Sequence, residues 1–136
     1  ETHRSIVCNT QVGSRVPAYA TGSGKIMLAG QSMEYIDQYC QWMAEGARPL
    51  TANTITDPDQ LRQALVLART RGFAVDDGEI EEGLTCVAAP IYDMNQRVAA
   101  AVSISGPTYR MEEDWEMMIR EVCKTAANIS RLLGHR

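Results

Sequence analysis

The segment Ala20-Thr21-Gly22-Ser23-Gly24-Lys25 sets two glycines and a small hydroxyl residue directly ahead of the apolar run Ile26-Met27-Leu28. Such a stretch opens a helix with bare backbone N–H groups at its positive end, groups that have no partner inside the helix. A small anion is the natural ligand of that arrangement. A nucleotide is not. A phosphate-binding loop needs glycine five residues before the glycine that precedes its lysine, and a hydroxyl residue after the lysine. Tyr19 and Ile26 stand at those places. What remains is a cradle of carboxylate size at Gly22 and Ser23, with Lys25 adding charge of the right sign. The same glycines also admit a plainer role, the close packing of a helix against a sheet.

A second group of small polar residues lies on a predicted hairpin, Cys86 to Tyr92 and Val98 to Ser105, around the turn Asp93-Met94-Asn95. Strand alternation puts Ala101, Ser103 and Ser105 on one face, and Val102 and Ile104 on the other. In the partner strand Cys86, Ala88 and Pro90 alternate with Val87, Ala89 and Ile91. If Cys86 lies over Ser103 and Ser105, three short polar side chains line one patch, and the hydroxyls can donate to a carboxylate or carbonyl oxygen. The competing reading is that these residues are small only to fit beneath a helix. Asp76 heads an acidic run with Asp77, Glu79, Glu81 and Glu82. Most such runs are solvated loops; a functional Asp76 would turn inward and accept a hydrogen bond from a ligand hydroxyl.

Catalysis and metal binding find little support. Cys8, Cys40, Cys86 and Cys123 contain no Cys-x-x-Cys pair, and His3 and His135 sit near the chain ends, so no zinc site is expected. A nucleophilic Cys86 would need a base that only His3 or His135 could supply. No Gly-x-Ser-x-Gly elbow occurs. The chain is expected to need no metal and no cofactor, and its cysteines read as thiols of a reducing cytoplasm.

The elements that must position these residues belong to one domain spanning 1–136, with 45% apolar and 22% charged residues. No apolar run is long enough to cross a bilayer. A net charge of −4 argues against this segment gripping a nucleic-acid backbone on its own. Ser5 to Asn9 reads as a short strand and Gln11 to Pro17 as a turn. A helix follows from Thr21 to Ala29, capped by Thr21 and stopped by Gly30. Ser32 caps a second helix with Met33, Ile36, Cys40 and Met43 at helical spacing, and Gly46 to Asn53 reads as loop. Asp57, Pro58 and Gln60 mark the start of a third helix. Its Leu61, Leu65 and Ala68 share a face that Ala64 and Leu67 widen, and Gly72 ends it. Phe73 to Val75 reads as a strand, and Asp76 to Glu82 as a loop. A last helix from Met111 to Leu133 carries a stripe of Trp115, Met118, Ile119, Val122, Ala126, Ile129 and Leu133. The class is α+β, an antiparallel β-sheet flanked by helices.

Taken in order, Val16-Pro17-Ala18-Tyr19-Ala20-Thr21-Gly22-Ser23-Gly24-Lys25, Arg71-Gly72-Phe73-Ala74-Val75-Asp76, Glu82-Gly83-Leu84-Thr85-Cys86-Val87-Ala88-Ala89-Pro90-Ile91 and Ala101-Val102-Ser103-Ile104-Ser105-Gly106-Pro107 resemble the effector-binding domain of IclR-type bacterial transcription regulators. The resemblance runs from about Ser5 to the C-terminus. It implies a GAF-like ligand-sensing domain joined, in the whole regulator, to an N-terminal winged helix-turn-helix domain that contacts DNA. It also implies a glyoxylate- or pyruvate-like ligand met by the N–H groups of Gly22 and Ser23 and by Asp76, Cys86, Ser103 and Ser105. Two departures bear on the ligand. Ser23 stands where the family usually has alanine, and Ser5 and Cys8 are smaller and more polar than the leucine or methionine often found there. The resemblance further implies a helix and a strand pair ahead of Ser5, a homodimer or homotetramer, a cytoplasmic location and no membrane partner. Two other readings stay open: a thiol-dependent small hydrolase, and a dimerisation module with a vestigial pocket.

Overall fold

The computed structural model describes residues 11–136; the predicted strand Ser5 to Asn9, Cys8 and His3 lie outside them. A single 3-10 turn, Ala18–Ala20, leads into helix α1 (Gly22–Ala29). Helices α2 (Met33–Gly46) and α3 (Pro58–Arg71) follow, then strands β1 (Ala74–Asp77), β2 (Leu84–Tyr92) and β3 (Val98–Pro107). The chain closes with a short helix α4 (Thr108–Glu113) and a long one, α5 (Trp115–Leu132). The strands form an antiparallel sheet in the order β1-β2-β3. The fold is α+β, with α1 and α3 on one side of the sheet and α5 on the other.

Local chemistry accounts for the helix ends. Thr21, Ser32 and Asp57 each accept a backbone N–H three residues on, from Gly24, Tyr35 and Gln60, as N-caps do. Pro58 takes the first turn, where a missing N–H is harmless. Gly72 ends α3 at φ +85°, a left-handed conformation that glycine adopts without strain. Gly30 is different. Its φ is −81°, and what it supplies is room, because a Cβ there would lie 2.7 Å from the Val98 side chain. It seats α1 on β3 instead of turning the chain.

The two faces of the sheet have separate cores. Val87, Ala89 and Ile91 of β2 pack with Met111, Val122 and Ala126 under α4 and α5. Ala74 and Ala88 pack with Tyr19, Ile26 and Leu28, and with the inner faces of α2 and α3: Ile36, Cys40, Met43, Leu61, Leu65 and Ala68. Both sets follow the predicted alternation. Four expectations need correction. Met33 and Leu67 are exposed, because only the residues facing α1 and the sheet are covered. Gly46 closes α2 instead of opening a loop. β1 starts at Ala74 and continues through Asp76 and Asp77, which pair with Cys86 and Thr85; Phe73 precedes it. The last helix is two helices that meet at Asp114, whose φ of −124° and ψ of 32° interrupt the helix.

That break falls in a run of acids, Glu112, Glu113, Asp114 and Glu116, whose mutual repulsion, with the low helix propensity of Asp114, opposes an unbroken helix. Asp114 then opens α5, its carbonyl accepting from Met118 N–H. Farther along α5, buried Ser130 donates to the Ala126 carbonyl and accepts from Tyr92 N–H. It ties the helix to the end of β2. Leu133, predicted on the buried stripe, is exposed.

Candidate functional site

The register of the sheet brings three of the predicted residues into one row. Asp76 of β1 lies opposite Cys86 of β2, and Cys86 lies opposite Ser105 of β3. The next row on the same face is Ala74, Ala88 and Ser103. Residues paired this way stand about 5 Å apart, so one carboxyl, one thiol and two hydroxyls share a patch about two residues deep.

Helix α1 begins over that patch. A Cβ on Gly22 would lie 3.3 Å from Ala88 Cβ and 3.4 Å from Cys86 Sγ, so the helix end sits directly on the strands. At Gly24 a Cβ would fall 2.4 Å from Ala18 Cα and 2.5 Å from the Ala18 carbonyl oxygen, which no side chain tolerates. Packing alone therefore requires Gly24 and makes Gly22 a tight fit, in keeping with the plainer reading of them. The anion reading is compatible with it. Gly24 N–H is taken by Thr21 Oγ1 and Lys25 N–H by the Thr21 carbonyl. No described residue accepts from Gly22 or Ser23 N–H. Those two donors are left at the positive end of the helix.

Between the helix end and the strands lies a cavity of about 390 Å³. Gly22, Ser23, Asp76, Cys86, Ser103 and Ser105 all line it, together with Thr21 and an apolar set that includes Val16, Met27, Ile80 and Leu84. All six sequence-predicted residues are thus brought together. The apolar wall had a weaker signal: Met27 stood in the apolar run after Lys25, and Ile80 fell within the loop Asp76 to Glu82. Among the described residues no lysine, arginine or histidine lines the cavity.

Lys25 departs from its expected place. It is buried, and its ammonium donates to Glu79 Oε1 at 2.6 Å, to Glu79 Oε2 at 2.7 Å and to the Val75 carbonyl at 2.8 Å. It holds the β1–β2 connection to α1 and does not line the cavity. Glu79, read as part of a solvated loop, is buried with it. Its spacing from Lys25, 54 residues, gives no local signal. Asp76, also buried, accepts from the N–H groups of Glu79 and Ile80. Burial pushes its carboxyl up to about 6, and the negative charge of Glu79 adds to the rise. The N–H group of Glu79 and the charge of Lys25 oppose it.

His135 stands elsewhere. Its ring stacks on Tyr92 at 4.9 Å, beside a second hollow of about 430 Å³ between β2 and the end of α5. None of the six predicted residues lines that hollow. It offers Cys86 no base.

Comparison with known proteins gives the family. A family model, bacterial transcriptional regulator IclR C-terminal, matches residues 1–131. The chain belongs to the IclR C-terminal family. It is 36% identical over 124 residues to the DNA-binding transcriptional repressor YiaJ of Escherichia coli, an alignment covering 90% of this chain and 44% of YiaJ. The crystal structure of Thermotoga maritima IclR superposes with a TM-score of 0.87 at 38% identity, covering 99% of this chain and 54% of that one. An IclR homologue from Microbacterium hydrocarbonoxydans, crystallised with 4-hydroxybenzoate, gives 0.78 at 27% identity, covering 96% of this chain and 52% of that one. The chain spans about half the length of the curated relatives it matches. Relatives in the family are named transcriptional regulators and repressors, which supports a non-enzymatic role at the level of the family. No helix among the described residues is long and apolar enough to cross a membrane.

Proposed function

We propose that residues 1–136 are the ligand-sensing domain of a bacterial transcription regulator, and that the ligand is a small carboxylic or oxo acid of the glyoxylate or pyruvate kind. The observation that supports this reading is the convergence of two helix-end donors that no described residue pairs, two hydroxyls, a thiol and a carboxyl on one cavity. A ligand carboxylate would sit against Gly22 and Ser23 N–H, where the helix dipole favours negative charge. Ser103 and Ser105 can donate to its remaining oxygens. Ser23 adds a further hydroxyl at the same end. With no cation among the described residues of the lining, binding would rest on hydrogen bonds and the dipole.

In this reading the whole regulator contacts DNA through a winged helix-turn-helix domain N-terminal to this one, works in the cytoplasm and assembles as a homodimer or homotetramer. The ligand acts by linkage: it shifts the balance between two arrangements only as far as its affinities for them differ. The domain's net charge of −4 is consistent with leaving DNA to another module.

A thermal-shift screen against glyoxylate, pyruvate, other 2-oxo acids, aromatic acids including 4-hydroxybenzoate, and sugar acids tests the proposal. An acid present at about a hundred times its Kd should add roughly 2.7 kcal/mol of stability. That shift should vanish in a Ser103→Ala/Ser105→Ala variant. Stabilisation by no acid, or a shift untouched by the double substitution, overturns it.

A further inference from the structure

Two carboxyls and one ammonium are buried together beside the cavity: Asp76, Glu79 and Lys25 are 2%, 5% and 3% exposed. An ammonium has three protons to give. Lys25 places two on the oxygens of Glu79 and the third on the Val75 carbonyl, and Glu79 Oε2 also accepts from Asp77 N–H. The pair is closed on itself. Asp76 receives backbone N–H groups and no cation, although it is the carboxyl that lines the cavity.

Among the described residues, the groups around Asp76 supply no compensating charge beyond the partial effect of Lys25. From α1 the one ionic group facing it is Lys25, already committed to Glu79. From β2 and β3 its row offers the Cys86 thiol and the Ser105 hydroxyl. From the connection after β1 comes Glu79, of like sign, while Asp77, Glu81 and Glu82 are exposed. An anion entering the cavity would therefore meet a second, uncompensated anion in a poorly solvated space, and two such charges strongly disfavour one another.

We propose that the cavity takes up its anion together with one proton, that the proton resides on Asp76, and that the Lys25–Glu79 pair keeps Asp76 able to hold it. The inference rests on the ligand-sensing reading and adds its regulation: the sensor reports the acid and the proton jointly. A protonated Asp76 donates a hydrogen bond to the ligand, where an ionised one would repel it. Glu79 acts through Lys25 and touches no ligand, so it is a positioning residue. If Glu79 were neutral, the ammonium would turn its charge toward Asp76 and hold that carboxyl in its ionised form.

Two measurements test this. Carboxyl 13C NMR of the ligand-free protein, with Asp76 assigned through Asp76→Asn, should give a titration midpoint near 6. In Glu79→Gln it should fall by roughly 1–3 pH units. A wild-type midpoint in the ordinary aspartate range overturns the proposal, as does an unmoved midpoint in folded Glu79→Gln. Calorimetry with glyoxylate and with 4-hydroxybenzoate, in buffers of differing ionisation enthalpy at pH 7.5, should show uptake of close to one proton per anion bound. Affinity should drop about tenfold per pH unit above pH 7. In Asp76→Asn, which retains an acceptor for the backbone N–H groups, both uptake and pH dependence should disappear even if Glu79→Gln fails to fold. Binding without proton uptake in the wild type overturns the inference and leaves the ligand-sensing reading intact. If neither probe binds at any pH while the midpoint near 6 shifts as expected, the joint uptake falls with the ligand-sensing reading for these acids, and only the isolated carboxyl survives.

Discussion

The two faces of one sheet are built for opposite ends. On the α5 side, Val87, Ala89 and Ile91 of β2 meet Met111, Val122 and Ala126. The buried hydroxyls of Thr85 and Ser130 are hydrogen-bonded, and the hollow of about 430 Å³ lies toward the end of α5, away from this packed centre. On the α1 side, the alternate residues of the same strands are Cys86, Ala88, Ser103 and Ser105, too small to fill the space beneath the helix, and a cavity of about 390 Å³ remains. Close packing contributes most where side chains interdigitate without voids. The filled face should therefore carry stability and the hollow face specificity, with the buried ion pair at the rim of the hollow as the exception.

That exception gives the largest expected effect. Lys25→Met leaves Glu79 buried without its cation, and breaking a buried pair from one side costs about 3–5 kcal/mol. Urea denaturation at neutral pH would measure it. A loss under about 1 kcal/mol would mean that water or another group already neutralises Glu79, and that the hollow face contributes less than its charges suggest. On the filled face, Met111→Ala should cost about 2–5 kcal/mol, since Met111 is 2% exposed and packs against Gly106. A negligible loss there would erase the distinction between the faces.

The comparison also explains what could be read from the sequence. Faces, caps and the hairpin are local, so alternation in β2 and β3 and the caps Thr21, Ser32 and Asp57 were legible. Five of the predicted site residues also followed from such local patterns, whereas Asp76 followed from the family resemblance, and all six line the cavity. The Lys25–Glu79 pair was not legible, because 54 residues separate its members and an acidic run reads as solvent-facing by default. Nor was the break at Asp114. Met111 and Val122 lie eleven residues apart, close to three full turns, so they would share a face even in an unbroken helix, and periodicity could not report the interruption.

Asp76 sharpens the contrast further, because on the hollow face a substitution can stabilise. A carboxyl whose folded value is raised binds its proton more tightly when folded. Its contribution is fully favourable below the unfolded value of about 3.9 and is lost as pH rises toward about 6. Above that, the ionised form burdens the fold. Asp76→Asn should then raise stability by about 1–3 kcal/mol at pH 8 and change it little near pH 4. Denaturation midpoints at the two pH values test this. Equal effects at both would show that Asp76 titrates normally in the folded protein.

The smallest effect on stability is expected at Ser103 and Ser105. Both hydroxyls are exposed to the cavity and its opening, and neither makes a hydrogen bond to another described side chain or backbone group. Ser103→Ala/Ser105→Ala should therefore change unfolding free energy by no more than about 0.5 kcal/mol, whereas any acid-induced stabilisation should be lost. The two readouts separate the roles of the faces in one protein. A large loss of stability would mean that the hydroxyls hold the edge of β3 in place. In that case the small residues would belong to the packing of the sheet, and the hollow beneath α1 would be a by-product of it. A neutral change in stability with loss of the ligand response would instead fix these positions as ones that the fold leaves unfilled so that a ligand can fill them.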